Sequence, residues 1–195
     1  MVTTLAIFLP TVSADTTEIP KWAQEKTPVK MSYYLGVGTS FTVSDMADSW
    51  KRGIHGYGRL DFSLSPKLSI WAGTDYHFFA LQDAADTSVA GGNFSTINIT
   101  GDLKINLGTP HQRINPYLIA GMGLAIQSIS DSSYRIYGDT LIDHRSVSYS
   151  TKSNALIEIG GGVEYKYFFI QGRYLNIMSD KKSRSYIPIT VGVKF

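Results

Sequence analysis

From Tyr33 to Phe195 the chain alternates apolar and polar residues with a period of two, in eight separate stretches. That period sends successive side chains to opposite faces of a strand, so each stretch predicts a strand with one apolar face. Tyr33–Val43 sets Leu35, Val37, Thr39 and Phe41 against Gly36, Gly38, Ser40 and Thr42. His55–Ser65 sets Leu60, Phe62 and Leu64 against Arg59, Asp61 and Ser63. Lys67–Ala80 opposes Leu68, Ile70, Ala72, Tyr76 and Phe78 to Ser69, Gly73, Asp75 and His77. Thr96–Leu107 is very regular, with Ile97, Ile99, Leu103, Ile105 and Leu107 alternating with Asn98, Thr100, Asp102, Lys104 and Asn106. Ile114–Gln127 and Asn154–Tyr165 place Leu118, Met122, Leu124, Ile157, Ile159 and Val163 opposite Tyr117, Gly121, Gly123, Glu158, Gly160, Gly162 and Glu164. Tyr167–Met178 sets Phe168, Ile170 and Tyr174 against Gln171 and Arg173, with an ambiguous upper end. The last strand, Tyr186–Phe195, alternates Ile187, Ile189, Val191, Val193 and Phe195 with Pro188, Thr190, Gly192 and Lys194.

The connections alternate in length. They are short after strands two, four and six and longer after one, three, five and seven, where they span Ser44–Ile54, Leu81–Ser95, Ser128–Ser153 and Ser179–Ser185. This predicts an all-β, eight-stranded antiparallel up-and-down transmembrane β-barrel with short turns at one end. An even strand number puts both termini at that end, the periplasmic side of an outer-membrane barrel. Residues 1–14 read as a signal peptide, truncated or weak because no Lys or Arg precedes its apolar stretch. Residues 15–31 are polar, contain Pro20 and Pro28, and read as a periplasmic leader; residues 32–195 are the barrel.

Composition narrows the function classes. The net charge of +2 is too small to suggest nucleic-acid binding, and cysteine is absent, which removes disulfides, thiolate metal sites and thiol nucleophiles. Alternation alone does not tell a barrel in lipid from a lipocalin-like barrel in water with its apolar face inside. Three features favour lipid. The polar face is rich in glycine (36, 38, 73, 121, 123, 160, 162, 192), which suits a narrow interior. Charges of both signs recur on it: Arg59, Asp61, Asp75, His77, Asp102, Lys104, Glu158, Arg173 and Lys194 predict a polar network in the lumen, since an unpaired buried charge costs several kcal/mol, about 3–5. Aromatics gather near strand ends (Tyr33, Tyr34, Trp71, Tyr76, Phe78, Phe79, Tyr165, Tyr167, Phe168, Phe169, Tyr186, Phe195), as in interface girdles, although Trp71 falls on the polar face. Eight strands leave an interior just wide enough for side chains, which argues against an open sugar pore.

The C-terminal Val191-Gly192-Val193-Lys194-Phe195, the Gly-rich Pro116-Tyr117-Leu118-Ile119-Ala120-Gly121-Met122-Gly123 and Gly160-Gly161-Gly162-Val163-Glu164-Tyr165 carry a resemblance. Over residues 31–195 the chain resembles the small eight-stranded outer-membrane barrels: the OmpA transmembrane domain, OmpX/Ail and opacity-type proteins, some grouped with the porin family. The resemblance implies a bacterial outer-membrane location and partners in outer-membrane lipid, lipopolysaccharide and the barrel-assembly machinery. That machinery would read Ile189, Val191, Val193 and Phe195 as the insertion signal. It also implies a non-enzymatic surface or adhesion role, with a host or matrix ligand at the loops, Ser128–Ser153 above all. No cofactor is implied.

One candidate catalytic set stands out. His144-Arg145-Ser146 with Glu158 is similar to the His-x-Ser pair and later Glu of outer-membrane lipid A deacylases, but lies two strands earlier, with Glu158 expected to face the lumen. A lipid A-modifying enzyme and a narrow channel therefore stand as alternatives. The loop carboxylates Asp83, Asp86, Asp131, Asp139 and Asp143 lack EF-hand spacing, and the four histidines lie far apart without metal-ligand spacing. Lys181-Lys182-Ser183-Arg184 is a short basic run that would reach lipopolysaccharide phosphates or tip a solvated hairpin.

Overall fold

In the computed structural model eight long strands close into one antiparallel barrel. The structure describes residues 30–82, 88–109, 112–130, 132–135, 144–147, 151–179 and 183–195, with the backbone alone at 88–91, 132–135 and 144–147. The signal peptide and all but the end of the leader lie outside the described residues. The strands in chain order are β1 (Lys30–Val43), β2 (Gly53–Ser63), β3 (Leu68–Phe79), β4 (Ser88–Gly91), β5 (Phe94–Asn106), β6 (Ile114–Ile129), β7 (Ser132–Arg135), β8 (His144–Val147), β9 (Lys152–Tyr165), β10 (Phe168–Met178) and β11 (Arg184–Lys194).

The barrel runs β1-β11-β10-β9-β6-β5-β3-β2 and closes where β2 pairs with β1. At the β1–β11 seam Val37 faces Val191 and Thr39 faces Ile189, and the Tyr33 and Phe195 backbones exchange N–H···O bonds of 3.1 and 2.9 Å. Closure leaves no free barrel edge, so strand amides and carbonyls find partners within the wall. Among the described residues no helix is long and apolar enough to cross a membrane, which says nothing against crossing by strands.

The two faces separate by chemistry. Leu35, Val37, Ile99, Leu124, Ile159 and Val191 stand exposed on the outside, each more than half open. Arg59, Asp75, Asp102, Glu158 and Arg173 are buried on the inside. Five of the aromatics assigned to interface girdles belong inside instead: Tyr34, Trp71, Phe79, Phe169 and Tyr186 are buried in the lumen. Nearness to a strand end suggested the girdle, but the parity of the residue decides the face. Tyr33, Tyr76, Phe78, Tyr165, Tyr167, Phe168 and Phe195 remain outside and exposed.

Interior glycines make room for their neighbours. Gly160 is registered with Arg173, Gly73 with Arg59, Gly38 with His55 and Gly192 with Phe169. An added Cβ would lie 2.8 Å from Arg173 Cγ at Gly160 and 2.5 Å from Arg59 Cδ at Gly73. Small residues thus oppose large ones across the ladder, which lets eight strands enclose bulky side chains.

Two features lie beyond the alternation. A 3₁₀ turn, Ser44–Met46, follows β1 and buries Met46 in the loop-end mouth. Strands β4, β7 and β8, from the second and third long loops, form a separate three-stranded sheet in that order.

Candidate functional site: the filled barrel interior

The lumen is packed in successive layers. At the loop end an apolar plug joins Met46, Phe79, Phe94, Ala125, Leu156, Leu175, Ile177 and Tyr186, with Trp50 and Ile129 against it. Leu175 and Ile177 explain the ambiguous end of the seventh stretch: they face inward because the mouth is sealed by hydrocarbon rather than by charge. Over the plug, the Arg184 guanidinium lies 5.2 Å from the Phe94 ring and 5.7 Å from Trp50, and it donates to Gln127 Oε1.

Beneath the plug lies a hydroxyl–imidazole chain. Ser40 Oγ is 3.0 Å from His55 Nδ1 and 2.8 Å from His77 Nδ1, and His55 Nε2 is 2.9 Å from Thr190 Oγ1. The cross-strand pair His55–His77 brings the rings to 5.0 Å.

The central layer holds two arginines and three carboxyl groups. Arg59 donates to both oxygens of Asp75 (3.0 and 3.2 Å), to Asp102 (3.2 Å) and to Glu158 (3.2 Å). Arg173 Nη1 donates to Asp75 Oδ2 (2.9 Å) and Glu158 Oε2 (2.8 Å). All five side chains are fully enclosed. Charge-assisted bonds of this kind offset the desolvation of groups placed inside a narrow wall. His77 Nε2 lies 3.9 Å from Asp75 Oδ2.

Next come aromatic rings. The Tyr57 ring has both Arg59 and Arg173 at 4.8 Å from its centroid, and Tyr34, Trp71, Phe169 and Tyr117 pack at centroid separations of 4.7 to 5.5 Å. They cage Lys104, whose ammonium is 4.7 Å from Trp71, 4.8 Å from Tyr117 and 5.1 Å from Tyr34. Lys104 donates to Glu164 and to Asp61 (3.4 Å); Tyr34 OH donates to Glu164 (2.7 Å), and Lys194 reaches Glu164 Oε2 at 2.8 Å.

The nine charged or polar residues of the sequence-predicted network thus fall into two clusters, one around Arg59 and Arg173 and one around Lys104. Eight are buried; Lys194, at the short-turn mouth, is partly open. Glu164, which joins Lys104 to Lys194, was not in the predicted set, although its alternation with Val163 and Tyr165 turns it inward. His55 was likewise missed; its parity with Tyr57, Arg59 and Asp61 on β2 is the signal that finds it.

Glu158 of the deacylase-like set is held between Arg59 and Arg173 inside the barrel. His144 and Ser146 belong to β8, and their side chains lie outside the described residues. Asp83, Asp86, Asp131, Asp139, Asp143, Lys181 and Lys182 also lie outside them. Among the described residues no group of three or more His, Cys, Asp or Glu could hold a metal ion.

No protein-family model and no curated protein matches the sequence. Solved structures do match the fold. Neisserial surface protein A aligns with a TM-score of 0.53 at 14% identity, over 84% of this chain and 95% of that one. Ail, the attachment invasion locus protein of Yersinia pestis, aligns with a TM-score of 0.52 at 12% identity, over 85% of this chain and 99% of that one. The fold is therefore that of the small eight-stranded outer-membrane β-barrels.

Proposed function

We propose that the protein is an integral barrel of a bacterial outer membrane, both termini periplasmic, acting as a non-enzymatic surface protein through its longer loops. The observation that carries the reading is the inversion of the faces: the exterior is a band of exposed aliphatics while charges and hydroxyls fill the interior. In water that arrangement is unfavourable, and in hydrocarbon it is what a spanning barrel requires. Ile189, Val191, Val193 and Phe195 face outward along the closing strand, where the assembly machinery would engage them. The partners are outer-membrane lipid, lipopolysaccharide and, at the loops around Ser128–Ser153, a host or matrix ligand. The Ail structure holds the heparin analogue sucrose octasulfate, which makes a sulfated glycan the first ligand class to test.

The geometry weighs less for the alternatives. A deacylase needs its acid open to lipid, whereas Glu158 is enclosed and engaged by two arginines; a channel needs a continuous path, whereas the described residues pack an apolar plug, a charged layer and an aromatic layer across the lumen. The test is expression of the full chain in a Gram-negative host. Recovery in the outer-membrane fraction, faster migration of the unheated protein in SDS gels, unaltered lipid A by mass spectrometry and heparin binding lost on deleting residues 132–147 are the expected results. A folded, water-soluble chain would overturn the reading of the faces, and trimmed lipid A would overturn the non-enzymatic one.

A further inference from the structure

The short-turn rim carries a charge pattern that the lumen does not use. Lys30, Lys67, Arg113 and Lys166 are exposed there, and among the described residues no acidic side chain is exposed with them. The two acids at that end, Asp61 and Glu164, are buried and tied to Lys104 and Lys194.

Two of these cations share a cleft. Ile114 on β6 is registered with Tyr165 on β9, so Arg113 and Lys166 are the next residue on each strand beyond the last ladder pair. Lys166 holds the left-handed conformation (φ 53°) that turns the chain into β10. Arg113 and Lys166 line a cleft of about 270 Å³ with Gln112, Asn115, Thr109 and Glu164. Beside it on the outer wall runs an apolar groove of about 470 Å³, lined by Val163, Tyr165, Phe168, Ile170, Val191 and Val193. Cleft and groove share the end of β9: alternation sends Glu164 to the first and Val163 and Tyr165 to the second. The cleft thus opens on the inner side of the end of β9 and the groove on its outer side, and Lys166, whose ammonium lies 5.6 Å from the Tyr165 ring centroid, stands at the turn between them, a cation beside an aromatic edge and an aliphatic trough as at a lipid headgroup boundary.

We propose that this rim is a binding site for an anionic phospholipid, its phosphate between Arg113 and Lys166 and one acyl chain in the groove below Tyr165 and Phe168. The inference rests on the membrane reading above. It adds a defined lipid site at the end opposite the loops, with a preference for net negative headgroups over zwitterionic ones.

The test is native mass spectrometry of the full folded chain released from detergent carrying equal amounts of phosphatidylglycerol and phosphatidylcholine. Phosphatidylglycerol is expected to be retained over phosphatidylcholine. R113Q/K166Q should lower its retention roughly twenty-five-fold, on a contribution of roughly five-fold per charge. R113K/K166R should restore it, and K51Q/R52Q at the loop end should leave it unchanged. The heat-dependent gel shift reports that each variant is folded. Equal retention of the two lipids, or full retention in R113Q/K166Q, overturns the site while leaving the membrane reading intact. A chain that folds only without detergent or lipid overturns both.

Discussion

Gly160 and Gly172 lie on neighbouring strands, yet a methyl group would meet opposite fates at them. At Gly160 it would press on Arg173, whereas at Gly172, which points outward, nothing lies within 4 Å. Gly160→Ala is therefore expected to cost about 1–3 kcal/mol by overpacking, and Gly172→Ala to stay within about 0.5 kcal/mol. Urea unfolding in lipid vesicles measures both; equal tolerance would show that the interior wall is looser than its ladder implies. Arg173 belongs to the same argument. It donates to Asp75 and Glu158 in a fully enclosed layer, so Arg173→Met leaves the three carboxyl groups of that layer with one guanidinium, that of Arg59, in place of two. A loss of about 3–5 kcal/mol is expected in the same assay. A milder loss is expected for Tyr34→Phe, roughly 1–3 kcal/mol, because Lys104 and Lys194 still engage Glu164 when the phenol is gone.

Along each strand the cost of a charge depends on depth. Ile99 is mid-strand on β5 and Ile189 mid-strand on β11, while Ile105 lies one residue from the end of β5. Ile99→Arg and Ile189→Arg are expected to cost about 2–4 kcal/mol, and Ile105→Arg about 0–1 kcal/mol, in denaturant titrations of the barrel in bilayers. The eight strands were legible because each carries its own period-two signal. Ile114–Gln127 and Tyr167–Met178, for example, became Ile114–Ile129 and Phe168–Met178. Depth was not legible, because alternation reports face and not height. Nor were β4, β7 and β8, four residues each, whose pairing joins loops distant in sequence and leaves no local period. In the lumen, the charged members could be read from parity, but the inward rings of Tyr34, Phe79, Phe169 and Tyr186 were assigned by position along the strand, and that criterion fails in a barrel whose mouths are closed with aromatics.

At the scale of the whole molecule, the interior is a column of unlike layers: hydrocarbon, imidazole and hydroxyl, guanidinium and carboxylate, aromatic rings, then a caged ammonium. Opening any one of them leaves the others in place. Planar bilayers holding the protein are therefore expected to show no stepwise current, and Met46→Ala, which loosens only the plug, to remain silent; discrete current steps from the native barrel would contradict the packing. The small sheet has a different consequence. Because β7 lies between β4 and β8, segments from two loops form one surface held by main-chain bonds. An antibody that recognises this patch would need both loops at once, so a synthetic peptide copied from either loop alone should fail to compete for it, while side chains there can change between strains without undoing the backbone that displays them.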